Sequence, residues 1–343
     1  MKSKDRIAII KITNGIQKTF CFERLGGQKM NHSVRVAKVP RTPHKSLRAK
    51  HSKVWQLYVL CALPVLLLLV FSYIPMVGNL IAFQDYSVRR GLASEFVGFK
   101  YFRQFFEMPI FWQIMKNTVL LSVYSIVIGF PFPILLALAF NELSHARTKK
   151  ILQTVTYAPY FISTVVLVSI MMQVLHYRYG IVNSVIKSFG GQPIDFLSKK
   201  EAFRPMYVLS GIWQGAGYSS VLYFAALSGV DASLYEAATI DGATKLKRVI
   251  HIDIPCILPT IVITLILNTG SILSVGFEKV FLLQNASNYA VSEIISTYVY
   301  KIGVKDAQFS LSTAIGLFNA VVNFIILFIV NKIASKISDI SLF

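Results

Sequence analysis

The sequence predicts an all-α integral membrane protein with six transmembrane helices, and three observations point there. Of its 343 residues, 54% are hydrophobic and 15% charged, whereas soluble domains carry about 25% charged residues. Apolar runs near or above the roughly 20 residues that cross a hydrocarbon core recur from residue 54 onward, with polar intervals between them. If successive runs cross in alternate directions, intervals on one side hold 22 Lys and Arg and those on the other hold 10. That is the asymmetry expected between cytoplasmic and outer segments.

Residues 1–53 carry fourteen Lys and Arg against Asp5 and Glu23, so this arm accounts for +12 of the net charge of +19. It shows no sustained hydrophobic period, contains Pro40 and Pro43, and reads as a largely disordered basic cytoplasmic arm. Such charge beside a first span attracts anionic membrane lipid, and nucleic acid is not the expected partner. Gly26-Gly27-Gln28-Lys29 before Met30 is what a purine-rich ribosome-binding site yields when translated in frame. Met30 is therefore an alternative start, with residues 1–29 a candidate untranslated stretch; without them the charge bias is still 15 to 10.

Residues 54–343 form the six-span domain. The first span, about 55–83, tolerates Pro64 and Pro75 because neighbouring helices can re-satisfy the freed backbone. It is too long for a removable signal peptide and lacks the cleavage pattern. An aromatic interval with Phe99, Tyr101, Phe102, Phe105 and Phe106 suits a membrane interface. The second span, 114–140, leads into a tight basic loop with Arg147, Lys149 and Lys150; the third, 151–175, contains Pro159. An outer loop at 176–202 turns at Gly190-Gly191-Gln192-Pro193. The fourth span is 203–230, followed by an inner polar loop at 231–257, a fifth span at 258–281, a second outer loop at 282–308 and a sixth span at 309–330. Both termini then lie in the cytoplasm.

The loop 231–257 is the long polar interval that is also rich in helix formers. Ser233 and Glu236 have the spacing of a capping box, after which Leu234, Ala237, Ala238 and Asp241 share one face. Gly242 permits the left-handed backbone that ends a helix, and Asp241 stands where it can satisfy the N–H groups of the next. That second helix turns Leu246, Val249 and Ile250 to one side and Lys245, Lys247 and Arg248 to water, and Pro255 and Pro259 are expected to break it. Two short helices thus meet at a glycine corner. Its alanines admit close backbone approach, and Glu236 with Asp241 offers charge to a partner's Arg or Lys.

No phosphate-cradling G-x-x-x-x-G-K-[ST] loop, nucleophile elbow, H-E-x-x-H or pair of intramembrane carboxylates occurs. No catalytic or metal-ligating residue is assigned, since Cys21, Cys61, Cys256 and the histidines are scattered. Candidates for a solute path are Trp213 and Tyr218 in the fourth span, Asn268, Ser271 and Phe277 in the fifth, and Asn319 and Asn323, one turn apart, in the sixth. The same residue types tie helices together or anchor interfaces. Rings combined with amides and hydroxyls also match the C–H faces and hydroxyls of a sugar. An ion-coupled secondary transporter is the competing class, although Glu278 is the only acidic residue within the six spans.

Glu236-Ala237-Ala238, three residues, Gly242, nine residues, then Ile252-Asp253-Ile254-Pro255 resembles the cytoplasmic signature of membrane subunits of ATP-driven, binding-protein-dependent importers, with Ile254 where the pattern has Leu. The wording from Tyr235 to Ala243 resembles the oligosaccharide branch, of the maltose-transporter type, as does Ser72-Tyr73-Ile74-Pro75-Met76, and Lys116-Asn117-Thr118 resembles the family's usual Asn-Thr entry to a span. The resemblance spans residues 54–343. It implies a multi-pass permease of the bacterial cell membrane that translocates a sugar or oligosaccharide delivered by an extracellular solute-binding protein. A second homologous permease and two ATPase subunits would complete the importer. ATP and Mg would belong to those ATPases, with no cofactor on this chain and no enzymatic activity of its own. The loop 231–257 would be a coupling helix seated in an ATPase cleft, with Glu236 making the charge contact, Gly242 the corner, and Ala237, Ala238 and Ala243 the close fit. Asp241, Ile252, Ile254 and Pro255 complete the signature, and the outer segments 176–202 and 282–308 would meet the binding protein. An importer permease for a non-sugar solute is the alternative within the same family.

Overall fold

The computed structural model describes residues 55–338. The basic arm and the choice between Met1 and Met30 lie outside the described residues. Two units are distinguished along the chain, 1–63 and 64–343; of the first, residues 55–63 are described and are helical.

Four helices among the described residues are long and apolar enough to cross a membrane. They are Leu57–Phe83 (α1), Phe111–Asn141 (α2), Lys245–Thr269 and Phe309–Lys336. Between α2 and the third of these lie Ala146–Phe161 (α3), Thr164–Val174 (α4), Lys200–Ser228 (α5) and Ala232–Ile240 (α6). Lys245–Thr269 is then α7, Phe277–Leu283 is α8, and the last helix, running Phe309–Ser338, is α9. Among the described residues nothing buries the most apolar stretch of α1, which leaves its side chains to suit lipid. A two-residue hairpin pairs Gln84–Asp85 (β1) antiparallel with Glu95–Phe96 (β2), a small exception to the all-α expectation.

The expected third span is not one rod. α3 and α4 meet at 99°, because Pro159 opens a tight 3-10 turn and Ser163 caps a fresh helix by accepting from the Val166 N–H at 3.4 Å. α5 fills the place of the fourth span with 29 residues, but Arg204, Gln214 and its glycines and serines keep it out of the most apolar set.

The expected fifth span, 258–281, also needs correction. α7 starts at Lys245 and ends at Thr269, so Pro255 and Pro259 do not break the helix after the glycine corner, and Ile252, Ile254 and Pro255 sit within it. The reason is a π turn at Val249–Asp253, two residues before Pro255. Proline lacks an N–H and its ring collides with the carbonyl one turn back; a π turn shifts that carbonyl out of register. The same device recurs at Leu69–Tyr73 before Pro75 and at Ser125–Gly129 before Pro131.

The segment 282–308 is no loose outer loop. It contains the helical turns Tyr289–Ser292, Ile295–Tyr300 and Lys301–Lys305, with Glu293, Ile294, Ile295 and Thr297 buried. Burial of the Glu293 carboxylate is made possible by Lys301 at 2.6 Å, Thr297 at 2.8 Å and Gln284 at 3.3 Å. A buried acid matched in this way is tolerated, whereas removing its partner alone costs about 3–5 kcal/mol.

α5 is the hub, packing on α2, α3 and α7. At one end Phe203 and Met206 join Leu121, Leu167, Val280 and Ile294; at the other Tyr223 and Leu227 join Ala137, Leu138 and Ile257. A Cβ at Gly217 would fall 2.0 Å from the Thr156 carbonyl oxygen of α3, a separation that no methyl group can hold. Gly217→Ala is therefore expected to destabilise the detergent-solubilised protein by about 1–3 kcal/mol, the usual cost of overpacking. Gly316→Ala gains the same helix propensity in open space and should leave the melting temperature unchanged or raised. Equal melting temperatures for the two variants would show that α3 and α5 do not approach as closely as described.

Candidate functional site

The polar corner between α5 and α7 is built from local rules. Asp231, not Ser233, caps α6: its carboxylate accepts from the Ser233 N–H at 2.9 Å, which holds the Asp231 carboxyl below the usual range. The helix begins one residue later, at Ala232, so the capping box expected at Ser233 is not formed. Its far end closes as a Schellman motif. The Ala243 N–H donates to the Ala238 carbonyl at 2.8 Å and the Gly242 N–H to that of Thr239 at 3.1 Å, around Gly242 at φ +68°. Thr244, not Asp241, stands at the start of α7.

The corner presents Glu236, Ala237, Asp241 and Gly242 to solvent, with Ala238 and Ala243 half-buried. Nothing in this chain lies within 4 Å of where a Gly242 side chain would sit. Ile240 is 87% exposed and Leu246 68%, so apolar side chains project beside the acidic ones. Neither was singled out by the motif. Ile252 and Ile254 are half-buried, Ile254 against the inner cluster around Ile257, while Pro255 is exposed.

A polar clasp fixes the corner to the bundle. The Tyr235 hydroxyl donates to Asp253, which is fully buried in α7, and Asn141 of α2 reaches the same hydroxyl at 3.5 Å. Burial first, and then the bond to Asp253, push the Tyr235 phenol up to about 12, so it remains a donor at physiological pH. Arg248 pairs with Glu142 at 3.4 Å alongside. Tyr235 and Asp253 lie 18 residues apart, and no local pattern links them.

Between α2, α5 and α7 lies a cavity of about 820 Å³. Of the expected path residues, Tyr218 and Asn268 line it. Tyr218 stacks on Tyr160, ring centres 3.9 Å apart, and Asn268 donates to the Thr264 carbonyl at 2.7 Å. The other five lie outside it. Trp213 is half-exposed, Ser271 sits in the turn after α7, and Phe277 packs with Phe281 and Tyr300. Asn323 accepts from the Leu273 N–H at 3.0 Å and donates to Ser274, tying α9 to that turn; Asn319 keeps a buried side-chain oxygen without a partner. Sequence reasoning missed Tyr160, Tyr207, Gly211, Tyr223 and Lys279, all in the cavity wall. Among the described residues no group of three or more His, Cys, Asp or Glu is placed to hold a metal.

Fold and corner together define a membrane component of a transport system. Residues 129–339 match the family described as binding-protein-dependent transport system inner membrane component, and the chain belongs to that family. This membership favours an importer permease over ion-coupled secondary transport. The polygalacturonan/rhamnogalacturonan transport system permease protein YteP of Bacillus subtilis (strain 168) is 46% identical over 284 residues, 82% of this chain and 88% of that protein. Among solved structures, a bacterial ABC transporter involved in the import of the acidic polysaccharide alginate has a TM-score of 0.77 and 37% identity, covering 85% of this chain and 99% of that one. The bacterial alginate transporter in complex with an alginate pentasaccharide-bound periplasmic protein gives 0.79 and 37%, over 86% and 99%.

Tyr235→Phe leaves the buried Asp253 carboxylate without its hydroxyl donor, at a cost of about 1–3 kcal/mol. Faster amide exchange confined to residues 232–243 is expected in the variant. Exchange indistinguishable from wild type would show that the clasp does not hold the corner.

Proposed function

We propose that this chain is the membrane-spanning permease subunit of an ATP-driven importer for oligosaccharides, with the corner 231–257 as its coupling element. The observation that carries the reading is the corner itself. A short helix closed by a Schellman turn holds Glu236, Asp241 and Gly242 outward, beside exposed Ile240, on a base clasped to α2 and α7. Rigid, acidic and apolar at its tip, it has the chemistry of a knob that enters a cleft on a partner ATPase. Glu236 makes the charge contact there, and Ala237, Ala238 and Ala243 allow close approach.

The importer is completed by a second homologous permease, two ATPase subunits carrying ATP and Mg, and an extracellular solute-binding protein. The relative in complex with a periplasmic protein supports that last partner. The saccharide assignment draws on the relatives' polygalacturonan and alginate and on a cavity walled by four tyrosines and the Asn268 amide. Six crossings are proposed: α1, α2, the bent pair α3–α4, α5, α7 and α9, with both termini cytoplasmic. The 29-residue length of α5 and its central packing support counting it with the four most apolar helices.

Gly242→Val should abolish saccharide-driven ATP hydrolysis in the assembled importer while leaving its expression normal, because a β-branched residue is strained at φ +68° and widens the tip. Wild-type coupling in that variant would falsify the docking role. Orientation is tested separately. A cysteine at Lys187 should react with an impermeant thiol reagent from outside intact cells and one at Lys245 should not; equal labelling would overturn the topology.

A further inference from the structure

Lys279 is a buried charged residue that the coupling reading leaves unused. It lies on α8, it is 8% exposed, and it forms part of the wall of the 820 Å³ cavity. None of the ion pairs among the described residues includes it. Its Nζ donates to the Tyr207 carbonyl at 2.8 Å and stands 4.7 Å from the Tyr207 ring centre. An ammonium has three donors, and this geometry uses one.

The neighbourhood is shaped around that group. A side chain at position 211 would come within 3.3 Å of Nζ, and glycine there keeps the ammonium open to the space it faces. Gly211 lines both the large cavity and an adjoining one of about 440 Å³, where Gln214 and Glu278 lie. Glu278 and Lys279 are consecutive on the helix, about 100° apart around its axis, so they do not face each other. Stacked Tyr160 and Tyr218 offer a ring face to the same cavity. A lysine used only to join α8 to α5 would hold a buried charge with no counter-charge, an expensive way to make one hydrogen bond. A passing carboxylate removes that expense.

We propose that Lys279 selects acidic saccharides: a uronate carboxylate pairs with its ammonium as the oligosaccharide crosses the cavity, while the sugar's C–H face lies on the tyrosine rings. This inference rests on the oligosaccharide reading above and assigns the charge class of the cargo. Among the relatives, polygalacturonan and alginate transport share that chemistry.

The test uses the whole importer with its binding protein in vesicles and two labelled probes of equal length, tetragalacturonate and its carboxyl-reduced counterpart, tetragalactose. Wild type should carry the acidic probe faster. Lys279→Gln keeps a donor for the Tyr207 carbonyl but loses the charge, and should slow tetragalacturonate uptake by roughly ten-fold, in the range lost with a charge-assisted hydrogen bond. Lys279→Arg, which keeps the charge, should retain most of the uptake. Wild-type uptake of tetragalacturonate by Lys279→Gln, or equal loss in the Gln and Arg variants, overturns the proposal. If the Gln variant fails to assemble, the wild-type comparison still decides: equal rates for the two probes, or uptake of the neutral one alone, overturns it. Uptake of neither saccharide, with uptake of an amino acid or an ion, removes the oligosaccharide reading as well.

Discussion

The helix bundle depends on one contact made without a side chain, that of Gly217 in α5 against the Thr156 carbonyl of α3. Hydrocarbon tails are as apolar as leucine, so burial from lipid gives helices little reason to associate, and close van der Waals approach has to supply it. With α3 held this near, α5 becomes the common neighbour of α2, α3 and α7, and its remaining faces wall the cavity. This explains why α5 is less apolar than the outer helices. The faces of α5 that pack on other helices do not need the hydrophobicity that lipid demands of α1, whose most apolar stretch is unburied.

The apolar runs were legible because lipid imposes length and composition on whatever faces it. Departures arose where a backbone register shift or a partner outside the local window changed the outcome. Pro255 reads as a helix breaker, yet a π turn at Val249–Asp253 absorbs it, and local rules for proline carry no notice of that register shift. Glu293 reads as an outer-loop acid, yet Lys301, Gln284 and Thr297 converge to bury it. Pro159 stood within a span expected to be continuous over 151–175, yet the chain bends there by 99° and α4 packs against α8.

At the corner the caps expected at Ser233 and Asp241 fall to Asp231 and Thr244, but its turn at Gly242 was legible from a local capping rule. Its mechanical attachment was not. Asp253 is the unspecified position between Ile252 and Ile254, and its role appears only once Tyr235 folds back on it. That bond joins the two halves of the motif into one body with α7, while Asn141 and Glu142 join the body to α2. In the proposed importer, a displacement imposed on α6 by a partner is therefore delivered to two helices that wall the cavity. A corner tethered only by its chain ends would lose that displacement in loop motion.

The cavity distinguishes holding from passing. Most of its polar groups are already engaged: Asn268 by the Thr264 carbonyl, and the Tyr223 hydroxyl by the Thr264 side chain at 2.8 Å. A hydroxylated cargo that exchanges such bonds gains little for each, about 0.5–1.5 kcal/mol at most, which suits a path where release matters as much as entry. Discrimination must then come from a group whose capacity is not already spent. Lys279 has that property, with one hydrogen bond and no counter-ion among the described residues, at a point where tyrosine rings and Gly211 leave room for a sugar. One charge among many weak contacts separates acidic from neutral cargo without making the cavity a trap.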